Sequence, residues 1–426
     1  MQQTFRESNK IFYIFLFLSV VLAVAAAPVF AEKLPFKSYT TSEGLAHDRV
    51  NGIVRDSRGF FWFCTSEGLS RFDGYEFKNY TQDDGLPHRA VNDFLETRSG
   101  EFWIATGNGL VLFNPLGESL RGKPGENQRA EPMFRVLRPA NLKSETKTWS
   151  VGDLLEDRDG TVWAGSSSGI YRLEKQADWQ LHHFDIPAAT ENRGEDFSSL
   201  LQDRTGAIWA ATSGLYRILP DKSGVQTINR KMNVLSLLED RSGRVWVGSS
   251  GGGETEIGLH VFSYFGNEPR PIRVFRKRDG LSADTWMNAL LETSDGRIFV
   301  GMGNGLHEYA PQADSSLPQF RILINEGVVA LGEDAGGNIW FSTNTSGVRR
   351  LARHGFVNFD KSDGLSGTRF SSIISAPDGE VYVLAEGFKI DRFNGKGFDA
   401  VAPREMLAGS WGTGQITFRI TPAPGG

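Results

Sequence analysis

The chain has 426 residues, 39% of them hydrophobic, and a formal net charge of −5 at pH 7. That is ordinary globular composition, long enough for one large or two medium domains, without the basic surplus of a nucleic-acid binder. Aromatic residues at 12% and 49 glycines favour many short strands joined by tight turns.

In chain order, the first feature is a leader. Arg6 and Lys10 precede an apolar run from Ile11 to Ala27, and Val29-Phe30-Ala31 offers small residues around a cut. A basic stretch, an apolar stretch and such a site predict a signal peptide over residues 1–31 and a periplasmic location. The alternative is an uncleaved membrane anchor, because the run approaches the length that spans a bilayer. Cys64 is the only cysteine, which excludes an intrachain disulfide. It follows Phe61-Trp62-Phe63 in a strand pattern and reads as buried filler rather than a nucleophile.

A repeat then runs through the chain. Leu154-Leu155-Glu156-Asp157-Arg158-Asp159-Gly160-Thr161-Val162-Trp163 returns as Leu237-Leu238-Glu239-Asp240-Arg241-Ser242-Gly243-Arg244-Val245-Trp246. The aromatic slot recurs at Trp62, Trp103, Trp163, Trp209, Trp246, Phe299, Trp340 and Tyr382, at spacings of 41, 60, 46, 37, 53, 41 and 42 residues. Each unit predicts four strands, a to d. Strand a is apolar, an Asp-x-x-Gly turn follows, strand b carries the Trp, Gly-Leu opens strand c, and an aromatic run such as Phe77-Lys78-Asn79-Tyr80 forms strand d. Four strands at this period specify propeller blades, with the aromatic of strand b packed between neighbours.

Phe36-Lys37-Ser38-Tyr39-Thr40 copies a strand d without its own blade. It is expected to complete the last blade and leave no open sheet edge. The fold expected is therefore all-β: a seven-bladed β-propeller of four-stranded blades over 32–355, closed by residues 36–40. Residues 356–426 then start a second, truncated propeller, its first blade containing Tyr382. A single eight-bladed ring is the alternative.

The pattern Glu-Asp-Arg-x-Gly-x-Val-Trp-x-Gly, with Phe-x-x-Tyr and Asp-Gly-Leu between copies, resembles the two-component regulator propeller repeat from residue 36 to about residue 395. That family forms the periplasmic sensor region of hybrid histidine kinases. The resemblance implies a sensing half that binds a ligand, with no catalytic residues and no kinase in this chain. It also implies that any membrane attachment lies in C-terminal parts beyond this sequence or in an uncleaved signal.

In propellers the d-to-a and b-to-c loops surround one mouth of the central channel. Here the d-to-a loops carry His47 and Arg49, then His88 and Arg89, then Asp284 and Trp286; the b-to-c loops carry Glu67, Asn108 and Asn304. Polar and aromatic groups converging on a concave mouth suit a small polar ligand, such as an oligosaccharide. The plainer reading is solvated loop residues. The spacing calls for no cofactor and no metal. His182 and His183 are adjacent on a strand and point to opposite faces, and Glu156, Asp157 and Asp159 are explained by their turn. A homodimer is an expected partner arrangement; nucleic acid is not. The competing reading is a secreted propeller enzyme, a lyase or glycoside-acting hydrolase, with His47 or His88 as its acid/base group.

Overall fold

The computed structural model describes residues 36–401 apart from 118–130, 141–147, 176–177, 187–198, 212–213, 251–257, 283–285, 315, 354–358, 360, 368, 376–379, 386–388 and 395–396, so the expected leader at 1–31 lies outside the described residues. Among the described residues, eight antiparallel four-stranded sheets form. Seven of them begin with Val50–Arg55, Val91–Glu96, Val151–Glu156, Ser199–Gln202, Val234–Glu239, Met287–Glu292 and Val328–Glu333. Each of these inner strands lies beside the next, and the last returns to the first, so seven blades close a ring. Residues 36–355 make one compact unit. The eighth sheet (Phe370–Ser375, Val381–Ala385, Lys389–Phe393 and Phe398–Val401) falls in another, so the eight-bladed ring is not formed.

Phe36–Tyr39 is the outer strand of the seventh blade, pairing antiparallel with Val348–Leu351 in the register Phe36 with Leu351 through Tyr39 with Val348. The ring's first and last strands thus share one sheet, and the ring has no seam held by side chains alone. Gly347 makes the approach possible: its φ is +72° and a Cβ there would stand 2.2 Å from the Tyr39 carbonyl oxygen. Tyr39 stacks on Trp340 with ring centres 5.1 Å apart and meets Phe72 of the first blade edge-on at 5.2 Å.

Strand b is fully buried in each of the seven blades, which is why it reads as an unbroken apolar run rather than an alternation. Its Trp faces the next blade. Trp62 stacks on Phe94 at 4.5 Å, Trp163 packs with Leu200, Ile208 and Ile218, and Trp209 with Val234, Val245 and Val247. Such a ring removes its full apolar area from water only when a neighbour is present, which makes the blades mutually dependent.

The Glu-Asp-Arg triplet has a three-way geometry. The Asp caps its own turn and also accepts the indole N–H of strand b. Asp56 Oδ1 accepts from the amides of Arg58 and Phe60 while Oδ2 accepts from Trp62 Nε1 at 3.0 Å. Asp157, Asp203, Asp240 and Asp334 hold Trp163, Trp209, Trp246 and Trp340 at 2.7–3.0 Å. Where Thr97 replaces the Asp, the turn is still capped but the buried Trp103 Nε1 has no hydrogen-bond partner among the described residues. The Glu reaches back: Glu156, Glu292 and Glu333 accept from the turn amides of Arg98, Arg241 and Ser294 in the preceding blade at 2.7–2.9 Å. The Arg reaches forward: Arg158 and Arg241 donate to the carbonyls of Arg204 and Ser294 at 2.8 Å. Arg55 occupies the Glu position in the first blade, and at that junction the shared sheet replaces the latch.

The inner strands carry a second set of links. Asn51, Asn92 and Asn288 donate to the carbonyls of Val91, Val151 and Val328 in the next blade. Asp93 accepts from the Leu154 amide at 2.9 Å, Asp153 accepts from the Leu200 amide, and the two carboxyls hydrogen-bond each other. Some of each residue's surface reaches solvent, yet desolvation by the crowded inner ring pushes the Asp93 carboxyl up to about 6 and Asp153 well up also, the latter with help from the Asp93 charge. A raised folded-state pKa means that the folded form binds the proton more tightly than the unfolded chain. The contribution to stability is therefore fully present below the unfolded value of 3.8 and is lost as pH rises through about 6. Asp153→Asn keeps an acceptor for Leu200 and supplies a permanent donor to Asp93. Melting temperatures measured from pH 4 to 8 are expected to fall less with rising pH in this variant than in the parent, and an unchanged slope would remove the pair from this role.

Candidate functional site

The two loop sets meet because a repeated backbone bond ties them. The b-to-c loop amides of Ser66, Gly107, Ser167, Ser250 and Gly303 donate to the carbonyls of Arg49, Ala90, Ser150, Asn233 and Trp286, at 2.8–3.1 Å. The acceptor is the residue just before each inner strand, so its side chain stands at the channel mouth without affecting the bond. That position is free to vary, and it does: Arg, Ala, Ser, Asn, Trp.

Between the first and second blades a cavity of about 460 Å³ opens at this mouth, lined by His47, Arg49, Asn51, Ser66, Glu67, His88, Arg89, Ala90 and Asn92. Five of the residues singled out from the sequence (His47, Arg49, Glu67, His88 and Arg89) are together here. Asn51 and Asn92 were missed, because they lie on inner strands and their amide groups serve the blade links. Their position beside the loop residues is the signal that would have found them.

The two histidines are held alike. His47 Nδ1 accepts from the Arg49 amide at 2.9 Å and His88 Nδ1 from the Ala90 amide at 3.1 Å. In the neutral ring this leaves the proton on Nε2, as a donor. Gly107 gives the His88 ring its place, since a Cβ there would sit 2.5 Å from the imidazole. Arg89 Nη1 pairs with Glu67 Oε1 at 2.8 Å across the two blades.

The remaining candidates lie elsewhere. Asn108 is outside the cavity: its carbonyl accepts from Arg138 at 3.0 Å and its side-chain oxygen from the Trp149 amide. Trp286 and Asn304 sit at the mouth end of the sixth blade, with Trp286 64% exposed although its carbonyl is bonded into the loop lattice. Asp284 lies outside the described residues. At Asp157 and Asp159 the cation present is the Lys222 ammonium, 3.0 and 2.6 Å away.

One pair that the sequence did not disclose has the geometry of a nucleophile and base: Ser282 Oγ lies 2.7 Å from His307 Nε2. The same nitrogen accepts the Ser282 backbone amide at 3.1 Å. Burial lowers the imidazole pKa to about 4. The link is a variant of a repeated one. Ser70 Oγ accepts the Ala46 amide and Asp391 accepts the Ser366 amide at the same place in other units. His307 therefore serves to latch a loop.

This architecture defines a seven-bladed β-propeller with a polar cavity at its loop face. The family model described as two component regulator propeller matches residues 230–251, spanning the strand a and Trp246 of the fifth blade, and the chain carries that repeat. No curated protein matches the sequence. Among solved structures, the extracellular domains of two hybrid two-component systems from B. thetaiotaomicron are similar. One has 19% identity and a TM-score of 0.63 over 87% of this chain and 49% of that one. The other has 20% identity and a TM-score of 0.55 over 87% and 47%. The chain thus spans about half the length of those domains. Virginiamycin B lyase from Staphylococcus aureus is also similar, at 12% identity and a TM-score of 0.54 over 75% of this chain and 99% of that one. These likenesses show the shared fold. Among the described residues no helix is long and apolar enough to cross a membrane.

Proposed function

We propose that the chain is the exported, ligand-sensing propeller of a two-component signalling system, which binds a small polar ligand, an oligosaccharide, at its loop face and performs no chemistry on it. The observation that carries this reading is the cavity between the first two blades, where loop side chains that differ from blade to blade converge on a polar surface. The two-component repeat and the sensor domains of like fold support it. The lyase of like fold keeps an enzymatic reading in view, but the Ser282–His307 pair is engaged in holding backbone. A bound ligand biases signalling only if it favours one arrangement of paired chains over another.

A thermal-shift screen of the purified chain against an oligosaccharide library tests the reading. At least one sugar is expected to raise the melting temperature in a saturable way. Gly107→Ala, which drives the His88 ring from its place without touching the ligand, is expected to weaken that sugar's binding by about tenfold, the order of one misplaced hydrogen-bonded group. A library without a single saturable shift would defeat the proposal.

A further inference from the structure

The charge of the cavity specifies its ligand further, on the ligand-binding reading just given. Its lining holds two guanidiniums and one carboxylate, and Arg89 and Glu67 neutralise each other. The Arg49 side chain is exposed and its guanidinium has no partner among the described residues. Beside it stand the two imidazoles, whose Nδ1 atoms are occupied by backbone amides, so that both offer Nε2–H donors. Asn51 and Asn92 spend their amide nitrogens on the Val91 and Val151 carbonyls at 2.8 and 2.7 Å, which leaves their oxygens as acceptors. One unpaired cation, two fixed donors and two acceptors remain.

The fold does not ask for the cation or the two imidazoles of this set. The residue equivalent to Arg49 is Ala90, Ser150, Asn233 or Trp286 in other blades, all making the same backbone bond. The Gly-Leu-x-His sequence occurs only at His47 and His88, the two blades that border the cavity. An exposed, uncompensated guanidinium flanked by donors is the pattern that recognises an oxyanion, and charge-assisted bonds of this kind are the stronger ones.

We propose that this cavity takes an anionic saccharide, its carboxylate or sulfate held by Arg49 with the His47 and His88 Nε2–H groups and its hydroxyls donating to the Asn51 and Asn92 oxygens. Carboxylate and sulfate share this chemistry, and the experiment separates them.

The test is titration calorimetry on the full chain with digalacturonate, its methyl ester, a monosulfated galactose disaccharide and neutral galactobiose. One of the two anionic sugars is expected to bind at least about tenfold more tightly than its uncharged counterpart. Arg49→Ala is expected to abolish that preference, while Arg49→Lys retains part of it. Preference for digalacturonate over its ester identifies a carboxylate; preference for the sulfated sugar alone identifies a sulfate. If galactobiose binds as well as the anionic sugars and Arg49→Ala changes nothing, the charge inference fails while the sensing function stands. If none of the four binds and the wider library also gives no shift, both fall.

Discussion

Asp203→Ala is expected to be among the most damaging single substitutions in the ring. Asp203 is fully buried, and its Oδ2 accepts from Trp209 Nε1 at 2.9 Å, Arg217 Nε at 3.0 Å and Tyr264 Oη at 2.7 Å. Arg217, 3% exposed, has no other carboxylate within ion-pair distance among the described residues. Desolvation works to raise the Asp203 pKa, but the hydrogen bonds from Thr205, Tyr264, Trp209 and Arg217 outweigh it and hold the carboxyl below its ordinary value. Removing it strands a buried guanidinium, an indole N–H and a phenol together, a loss on the order of 3–5 kcal/mol. At Asp334 the side chains are more open, 17% for the carboxylate and 37% for Arg350, so Asp334→Ala is expected to cost less than half as much. Denaturant titration of the two variants gives the comparison, and equal losses would refute this ranking. A depressed folded pKa also fixes the sign with pH: the Asp203 contribution is present above the unfolded value of 3.8 and lost as pH falls through the lower folded value.

Removal of residues 36–40 is expected to have an effect of similar size by a different route. The strand Phe36–Tyr39 supplies the outer edge of the seventh blade, and Tyr39, 4% exposed, lies between Trp340 and Phe72 across the junction of the last and first blades. Without it, Val348–Leu351 becomes an open edge and the stacked face of Trp340 is uncovered. Burial of one large aromatic contributes about 1.5–3 kcal/mol, and each ladder bond about 0.5–1.5 more. The shortened chain is expected to melt earlier and less cooperatively than one beginning at Phe36, with tryptophan emission shifted to the red before global unfolding. Identical melts would mean that the ring is held shut by the inner strands alone, where Ser342 donates to the Val50 carbonyl at 2.9 Å.

The fold was legible because its determinants are written once per blade. The Trp of strand b, the turn Asp and the orphan Phe36–Tyr39 strand each look like their copies, so comparison within the chain assigns them. The links between blades were not legible. Glu156 and Arg98 meet across 58 residues of sequence, and on strand ends both look like ordinary solvated charges. Asp93 and Asp153 fill a position where the other inner strands have Gly52, Ser199, Ser236, Ala289 and Ala330, so no pattern announced a carboxyl pair. Part of the site was readable from loop position: His47, Arg49, Glu67, His88 and Arg89 converge because the loop lattice brings them together. Loop position misled at Asn108, whose groups are spent on Arg138 and Trp149, and it said nothing of the inner-strand Asn51 and Asn92. Nor could it distinguish a Ser–His pair that holds backbone from one that reacts, which needed the second bond to His307 Nε2.

The latches also bear on how a binding event would be felt. The first two blades are joined near the cavity by the Arg89–Glu67 pair and by Asn51 reaching Val91, so a ligand seated between them touches groups that set the spacing of both. Rigid blades with a ligand at their junction suit a sensor, which must convert occupancy into a small displacement.

A sensing propeller binds at this mouth without turnover. The most direct test is to saturate the chain with a sugar that shifts its melting temperature, recover the sugar after prolonged incubation, and determine its mass alongside the affinity of the parent and of the double variant His47→Ala, His88→Ala. The expected result is a sugar recovered intact and an affinity lowered at least tenfold in the variant, the order of two lost hydrogen bonds. A sugar recovered cleaved or eliminated by the parent, or bound equally well by the variant, would contradict it.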